Sequence, residues 1–72
     1  MSDITLGIIG GGQLGSMLAI SAKKLNIKTV IFSDDAEAPA QNFCNQFISG
    51  IYDDKQKVAD FVSQVDVVTY EF

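Results

Sequence analysis

The stretch IIGGGQLGSM, residues 8–17, decides the fold of this chain. An apolar run ends in three consecutive glycines, and a pattern of apolar residues typical of a helix begins directly after them. The segment Thr5–Ile9 is short, apolar and β-branched, which favours a buried strand. A glycine turn between a strand and a helix is typical of sites that hold a phosphate group.

The composition describes a small, acidic, globular domain. The chain has 72 residues, of which 47% are hydrophobic and 19% charged, so it allows one folded domain and is not disordered. Its net charge is −4, and its five basic residues are all lysines. Phosphate backbones are bound by basic faces, so we expect no nucleic-acid partner. We also expect no membrane partner, because no apolar run is long enough to span a bilayer.

Cysteine and histidine are too few for several kinds of catalytic site. The chain has one cysteine, Cys44, and no histidine. This excludes the usual zinc sites, a Cys-His or Ser-His pair within these residues, and an internal disulfide. Cys44 lies among apolar neighbours and is interpreted as a small buried core residue. A lone cysteine and the absence of a recognisable signal peptide favour a cytoplasmic location.

The rest of the chain alternates predicted helices and strands. Further strands are predicted over 28–32, 47–50 and 66–70. Helices are predicted over 13–26 and 52–64, with a short one beginning at Pro39. The order βαβαβαβ predicts an α/β fold with a Rossmann-like parallel sheet. The first helix is expected to turn one apolar stripe to the sheet, formed by Leu14, Met17, Leu18, Ala22 and Leu25.

Two local signals mark the predicted helix ends. Asn26 is a suitable left-handed residue just past the end of the first helix. Asp53 or Asp54 is expected to cap the second long helix, whose apolar stripe contains Val58, Phe61, Val62 and Val65.

The glycine turn matches the pattern G-x-G-x-x-G over residues 10–15. The first glycine allows the tight turn, the second lets backbone approach a phosphate, and the third lets the helix pack closely on the strand. Free N–H groups at the helix start can then bind an anion. The pattern by itself does not name the ligand, and a purely structural tight turn is an alternative.

A dinucleotide is one possible ligand. In dinucleotide-binding proteins, an acidic residue at the end of the second strand binds the ribose hydroxyls. The second strand of this chain is expected to end at Ser33, with Asp34 one position later, on the opposite face. The sequence therefore leaves an NAD-dependent oxidoreductase open as an alternative without favouring it.

Three segments together resemble one enzyme family. They are GIIGGGQLGSMLAISAKKL (residues 7–25), DDAEAPA (34–40) and DVVTYEF (66–72). In this order and at these distances they are similar to the start of the 5-(carboxyamino)imidazole ribonucleotide synthases, ATP-dependent carboxylases of purine biosynthesis in the ATP-grasp superfamily. Two departures are noted: many members have an acidic residue where this chain has Ser33, and a basic residue is frequent at the position of Ser16.

The resemblance implies a reaction for the full enzyme and a separate role for each of its domains. The full enzyme would join bicarbonate to 5-aminoimidazole ribonucleotide and cleave ATP to ADP and phosphate. Residues 1–72 would be the pre-ATP-grasp domain, in truncated form, and would be inactive alone. ATP and Mg²⁺ would bind to later domains, and the full enzyme would be a homodimer.

The resemblance also implies a set of substrate-binding residues and no catalytic residue in this chain. Gly12, Gln13 and Leu14 would contact the ribonucleotide where the turn enters the helix. Glu71, at the end of the fourth strand, would reach the ribose hydroxyls or the region of the amine, since a carboxylate accepts hydrogen bonds from adjacent hydroxyls. Each of these residues also has a purely structural interpretation. Gln13 and Glu71 would be ordinary exposed residues, and the Leu14 side chain would belong to the core. A ligand-binding module without chemistry is a further alternative.

Overall fold

The computed structural model of the chain describes residues 4–70. The elements are strand β1 (Thr5–Ile9), helix α1 (Gln13–Lys24), strand β2 (Lys28–Ser33), a 3-10 helix (Pro39–Asn42), strand β3 (Gln46–Ser49), helix α2 (Lys55–Ser63) and strand β4 (Val67–Tyr70). The four strands form one parallel sheet in the order β3-β2-β1-β4. The α/β prediction with a Rossmann-like parallel sheet is therefore confirmed.

Local hydrogen bonds explain where the predicted boundaries were wrong. α2 begins at Lys55 because Asp54 caps it, with a carboxylate oxygen that accepts from the Lys57 backbone N–H at 3.1 Å. β4 begins after Asp66, whose backbone N–H donates to the Thr5 carbonyl and whose carboxylate accepts from the Thr5 N–H, each at 2.8 Å. The side chain of Asn45 accepts from Thr29 N–H at 2.9 Å, so β3 begins one residue earlier than predicted.

The end of α1 follows its sequence signal. The helix ends at Lys24, two residues before the predicted end, and Asn26 has a φ of 60°. The Asn26 N–H donates to the Lys23 carbonyl and the Ile27 N–H donates to the Ala22 carbonyl. This pair of bonds is a Schellman motif, which satisfies the last carbonyl groups of the helix and turns the chain into β2.

Two apolar layers cover the two faces of the sheet. α1 and the 3-10 helix lie on one face, where the buried core contains Ile8, Ala19, Ile31 and Ala40. α2 lies on the other face, where Phe61 packs with Val30 and Phe32. The Phe61 and Phe32 rings meet edge to face with centroids 5.7 Å apart, a favoured aromatic geometry. This arrangement leaves the carboxyl ends of the strands at one edge of the domain.

The predicted apolar stripe of α1 was largely wrong. The face that α1 buries consists of small residues, Gly15, Ser16, Ala19 and Ala22. The larger residues of the predicted stripe are mostly exposed: Leu14 by 59%, Met17 by 56% and Leu25 by 68%. Leu18 is partly buried against the core. The reason is the close approach of helix and turn: a Cβ atom on Gly15 would lie 2.6 Å from the Gly10 carbonyl oxygen.

A second glycine sets the distance between β1 and α2. A Cβ atom on Gly7 would lie 2.8 Å from the Phe61 ring and 2.9 Å from a Val65 methyl group. Both side chains belong to the core or pack against it. Phe61 can therefore be fully buried only because Gly7 has no side chain.

We expect Gly7→Ala to destabilise the domain by about 1–3 kcal/mol, since overpacking a close-packed core displaces its neighbours. The measurement is the urea midpoint of the purified chain, followed by circular dichroism. Gly12→Ala is the matched control, because nothing lies within 4 Å of a Cβ atom there. Equal midpoints for the two variants would contradict this account of the packing.

Candidate functional site

The glycine turn joins β1 to α1 at the carboxyl edge of the sheet. Gly10 has a φ of 115°, a conformation that residues with a side chain rarely adopt. Its backbone N–H donates to the Phe32 carbonyl at 2.8 Å. The turn is therefore fixed to the end of β2, and the start of α1 is fixed with it.

The middle glycine of the turn has a structural role that the sequence pattern does not show. A Cβ atom on Gly11 would lie 2.6 Å from the Ala38 Cβ and 3.1 Å from the Ser33 Cβ. The Gly11 carbonyl also accepts a hydrogen bond from the Ala40 N–H at 3.1 Å. The loop between β2 and the 3-10 helix thus packs directly on the turn. The signal in the sequence was the glycine at an "x" position of the pattern.

Gly12 is the open position of the turn. No atom lies within 4 Å of a Cβ atom built on it. Gly12 is also the N-cap of α1, and no side chain caps the helix there. Among the described residues, the backbone N–H groups of Gln13 and Leu14 find no acceptor. Together these features leave room and hydrogen-bond donors for a polar ligand.

A cleft of about 300 Å³ lies beside the turn. Its walls are the glycine turn, the residues from Ser33 to Asp35, Ala38 and Pro39, and Tyr52 from the loop after β3. The Tyr52 ring is positioned by Phe32, at a centroid distance of 5.8 Å. Sequence reasoning missed Tyr52, because no motif contains it and its place depends on a long-range contact with Phe32 of β2.

A second cavity of about 220 Å³ adjoins the cleft and shares Tyr52 with it. It lies between α2 and the sheet, and its other lining residues are Ile9, Phe32, Val58, Phe61 and Tyr70. The lining is aliphatic and aromatic. The carboxyl edge therefore combines a cleft that contains the carboxylates of Asp34 and Asp35 with a neighbouring apolar cavity.

Ser33 occupies the end of β2, as predicted. It is buried, and its hydroxyl oxygen accepts from the Asp35 N–H at 3.1 Å. The Asp35 carboxylate in turn accepts from the Glu37 N–H at 2.9 Å. A serine engaged in the loop therefore stands where a dinucleotide-binding domain has its ribose-binding acid, which disfavours NAD.

The predicted substrate-binding residues lie around the turn but do not share one cavity. Gly12 lines the cleft. Gln13 and Leu14 are exposed on the first turn of α1 and do not line it. The interpretation of the Leu14 side chain as core was wrong. Glu71 lies outside the described residues. Tyr70 pairs with Ile9, the residue before the glycine turn.

Cys44 is half-buried, so its assignment as a fully buried core residue was only partly right. It packs against the core on the α1 face of the sheet. Desolvation raises the pKa of its thiol, with weaker opposing contributions from backbone hydrogen bonds at Cys44 and Gln46. A raised pKa keeps the thiol protonated and unreactive at neutral pH.

Two further properties concern the residues from 4 to 70. In this range no group of three or more His, Cys, Asp or Glu residues is arranged to hold a metal ion. No helix in the same range is long and apolar enough to cross a membrane.

A parallel α/β sheet with an open glycine turn at its carboxyl edge defines a Rossmann-like domain. Residues 3–72 match the model of the ribonucleotide synthetase preATP-grasp domain family. The chain belongs to this family.

Relatives with assigned functions agree with that membership. The chain is 46% identical over 68 residues to the N5-carboxyaminoimidazole ribonucleotide synthases of Staphylococcus epidermidis and Brucella melitensis, covering 94% of itself and 18–19% of those proteins. The crystal structure of N5-carboxyaminoimidazole synthetase from Staphylococcus aureus complexed with ADP superposes with a TM-score of 0.92 at 41% identity. That match covers 97% of this chain and 19% of the other. The chain thus spans about one fifth of the length of its relatives.

We expect Cys44 to react slowly with a thiol reagent such as DTNB near pH 8, because burial and the raised pKa both reduce the exposed thiolate. The rate should rise at least tenfold in urea. The same shift implies that the contribution of Cys44 to stability is present below its unfolded pKa and is lost as the pH rises through the folded pKa. Reaction in the folded chain as fast as in urea would contradict this.

Proposed function

We propose that residues 1–72 are the amino-terminal, pre-ATP-grasp part of an ATP-dependent carboxylase of purine biosynthesis. The whole enzyme converts 5-aminoimidazole ribonucleotide, bicarbonate and ATP to 5-(carboxyamino)imidazole ribonucleotide, ADP and phosphate, as a cytoplasmic homodimer. The observation that carries the proposal is the match of residues 3–72 to the ribonucleotide synthetase family, with relatives that are N5-carboxyaminoimidazole ribonucleotide synthases.

The role of this part is to bind and orient the ribonucleotide. The N–H groups of Gln13 and Leu14 donate to its polar groups, and Gly12 leaves the space for their approach. The Glu71 carboxylate accepts hydrogen bonds from the ribose hydroxyls or the amine region. No group of this chain performs covalent chemistry.

ATP and Mg²⁺ belong to later domains. The cleft beside the glycine turn is lined by Asp34 and Asp35 and by no cationic side chain, so its field opposes a triphosphate. Residues 4–70 also provide no cluster for a metal ion. The ATP dependence itself is supported by the Staphylococcus aureus relative, whose structure is complexed with ADP. When bound, ATP supplies the phosphoryl group that activates bicarbonate as carboxyphosphate.

The two alternatives have weaker support. An NAD-dependent oxidoreductase needs a ribose-binding carboxylate at the end of β2, where this chain has the buried Ser33. A ligand-binding module without chemistry is compatible with the domain alone. The two hypotheses differ in one expected result. A domain of the carboxylase should support turnover when it is placed in an enzyme of this family, and a non-catalytic binding module should not.

A chimaera tests the carboxylase proposal directly. Residues 3–72 replace the matching segment of the Staphylococcus aureus N5-carboxyaminoimidazole ribonucleotide synthase, and ADP release is measured. We expect release that requires both the ribonucleotide and bicarbonate, because the glycine turn and Glu71 complete the ribonucleotide site. The purified 72-residue chain is the control and should release no ADP. A folded, ADP-binding chimaera whose ADP release ignores the ribonucleotide would contradict the proposal.

Substitutions in the same chimaera test the site. Gly12→Val fills the open position, and Glu71→Gln removes a negative charge that can accept from two hydroxyls. We expect each to raise the KM for the ribonucleotide at least tenfold with the KM for ATP unchanged. Ser63→Ala, on the exposed side of α2, is the control and should leave both values unchanged. A rise in the KM for ATP alone would place these residues in a different site.

A further inference from the structure

The segment between β3 and α2 carries Tyr52 to the carboxyl edge of the sheet. Tyr52 lines both the cleft beside the glycine turn and the neighbouring apolar cavity. The segment is short, since β3 ends at Ser49 and α2 begins at Lys55. The position of the Tyr52 ring therefore depends on how residues 50–54 are held between these two elements.

Two backbone hydrogen bonds shape this segment. The Gly50 N–H donates to the Ser33 carbonyl at 3.0 Å, so the contact of β3 with β2 continues one residue past the strand. The Asp54 N–H donates to the Ile51 carbonyl at 3.1 Å. This second bond closes a β-turn whose second residue is Tyr52. Neither bond joins the segment to α2.

Lys57, in the first turn of α2, holds both ends of the segment. Its backbone N–H donates to the Asp54 carboxylate at 3.1 Å, and its ammonium group donates to the Ser49 carbonyl at 3.0 Å. The bond to Ser49 closes the segment into a loop that is tied to β3 at one end and to α2 at the other. Within residues 4–70, the ammonium group of Lys55 in the same helical turn makes no such bond.

Gly50 provides the space through which the Lys57 side chain reaches the end of β3. A Cβ atom on Gly50 would lie 2.7 Å from Lys57 Cδ and 3.5 Å from the Phe32 ring. The aliphatic part of Lys57 and the Phe32 ring therefore border the same glycine. Phe32 is also the ring on which Tyr52 packs, with centroids 5.8 Å apart. A lysine whose stem covers the backbone while its charge stays at the rim is a common arrangement.

We infer that Lys57 is a positioning residue of the ribonucleotide site and that it acts through Tyr52. This inference rests on the proposed function. The Tyr52 ring is held by its contact with Phe32 and, through its backbone, by the loop that Lys57 closes. Tyr52 lines the same cleft as Gly12, the open position of the glycine turn. A displaced Tyr52 ring therefore changes the space that a ribonucleotide bound at the turn can occupy.

The expected effect is on binding rather than on folding. The bond from the Lys57 ammonium group to the Ser49 carbonyl is exposed to solvent, and an exposed bond contributes little to the free energy of unfolding. Its effect on a ligand is different, because a loop that is already ordered loses less conformational entropy when the ligand binds. Loss of this bond should raise the KM for the ribonucleotide and leave the stability of the domain nearly unchanged.

The first experiment measures the mobility of the Tyr52 ring in the 72-residue chain. The chain has two tyrosines and no tryptophan, so in a Tyr70→Phe background the fluorescence anisotropy comes from Tyr52. Lys57→Met keeps the aliphatic stem and removes the ammonium group. We expect it to lower the anisotropy and to increase quenching by acrylamide at least twofold, with an unchanged urea midpoint. Lys57→Arg should restore both signals.

Lys55→Met is the matched control for the first experiment, because it removes a neighbouring ammonium group of the same helical turn. It should leave the anisotropy and the quenching of Tyr52 unchanged. The same signals in Lys57→Met and in the chain with Lys57 would overturn the inference.

The second experiment measures the KM for the ribonucleotide in the chimaera that contains residues 3–72. We expect Lys57→Met to raise this KM about fivefold, with kcat and the KM for ATP unchanged, and Lys55→Met to change none of them. Tyr52→Ala should also raise the KM for the ribonucleotide. Lys57→Met should have no further effect in the Tyr52→Ala background, because a positioning residue acts only through the residue that it positions. Additive effects of the two substitutions would overturn the inference.

The outcomes separate this inference from the proposed function. A folded, ADP-binding chimaera without ribonucleotide-dependent ADP release would overturn the carboxylase, and with it the assignment of Lys57 to a ribonucleotide site. Release that requires the ribonucleotide, with an unchanged KM in Lys57→Met, would uphold the carboxylase and overturn the role of Lys57 alone.

Discussion

The contact between the start of α1 and the glycine turn constrains the rest of the structure. Gly10 adopts a positive φ so that its N–H can bond to the end of β2, and its carbonyl then lies where a Gly15 side chain would be. The helix axis is therefore held closer to the sheet than a larger residue would allow. The same closeness leaves the first N–H groups of the helix at the carboxyl edge, where a ligand can reach them. The packing of α1 and the geometry of the candidate site thus depend on one steric condition, which is the absence of a side chain at Gly15.

That condition also decides which face of α1 is buried. A helix held this close can present only small residues to the sheet, so Ala19 and Ala22 form its part of the core. The large residues of the same helix must then face elsewhere, and Leu14, Met17 and Leu25 are mostly exposed. The helix is nevertheless stabilised by its small-residue face, through which Ala19 and Ala22 pack on the sheet. The exposure of these large apolar residues is thus a consequence of the turn.

The sequence predicted the elements well, and it predicted their contacts less well. The period of two or of 3.6 residues is local, so β1 was placed to the residue and the end of β2 at Ser33 was anticipated. The buried face of α1 was not predicted correctly. Periodicity identifies an apolar stripe, but it does not show which face of the helix meets the sheet. Tyr52 was missed for a related reason: its position beside the cleft involves a long-range contact with the Phe32 ring of β2. The role of Gly11 likewise depends on Ala38, which is distant in the chain.

The distribution of charge separates what this domain can bind from what it cannot. Around the glycine turn the donors are neutral backbone N–H groups, and the nearest charged side chains in the cleft are the carboxylates of Asp34 and Asp35. Neutral donors at a helix start can hold one anionic or hydroxyl-bearing group, whereas a triphosphate with its metal needs several cations and acidic ligands in a fixed geometry. In the proposed function, this domain selects and orients the ribonucleotide and does not activate bicarbonate. The proposed carboxylase reaction therefore requires that a ribonucleotide held at this edge would face a second domain, which would bring the reactive phosphoryl group to it.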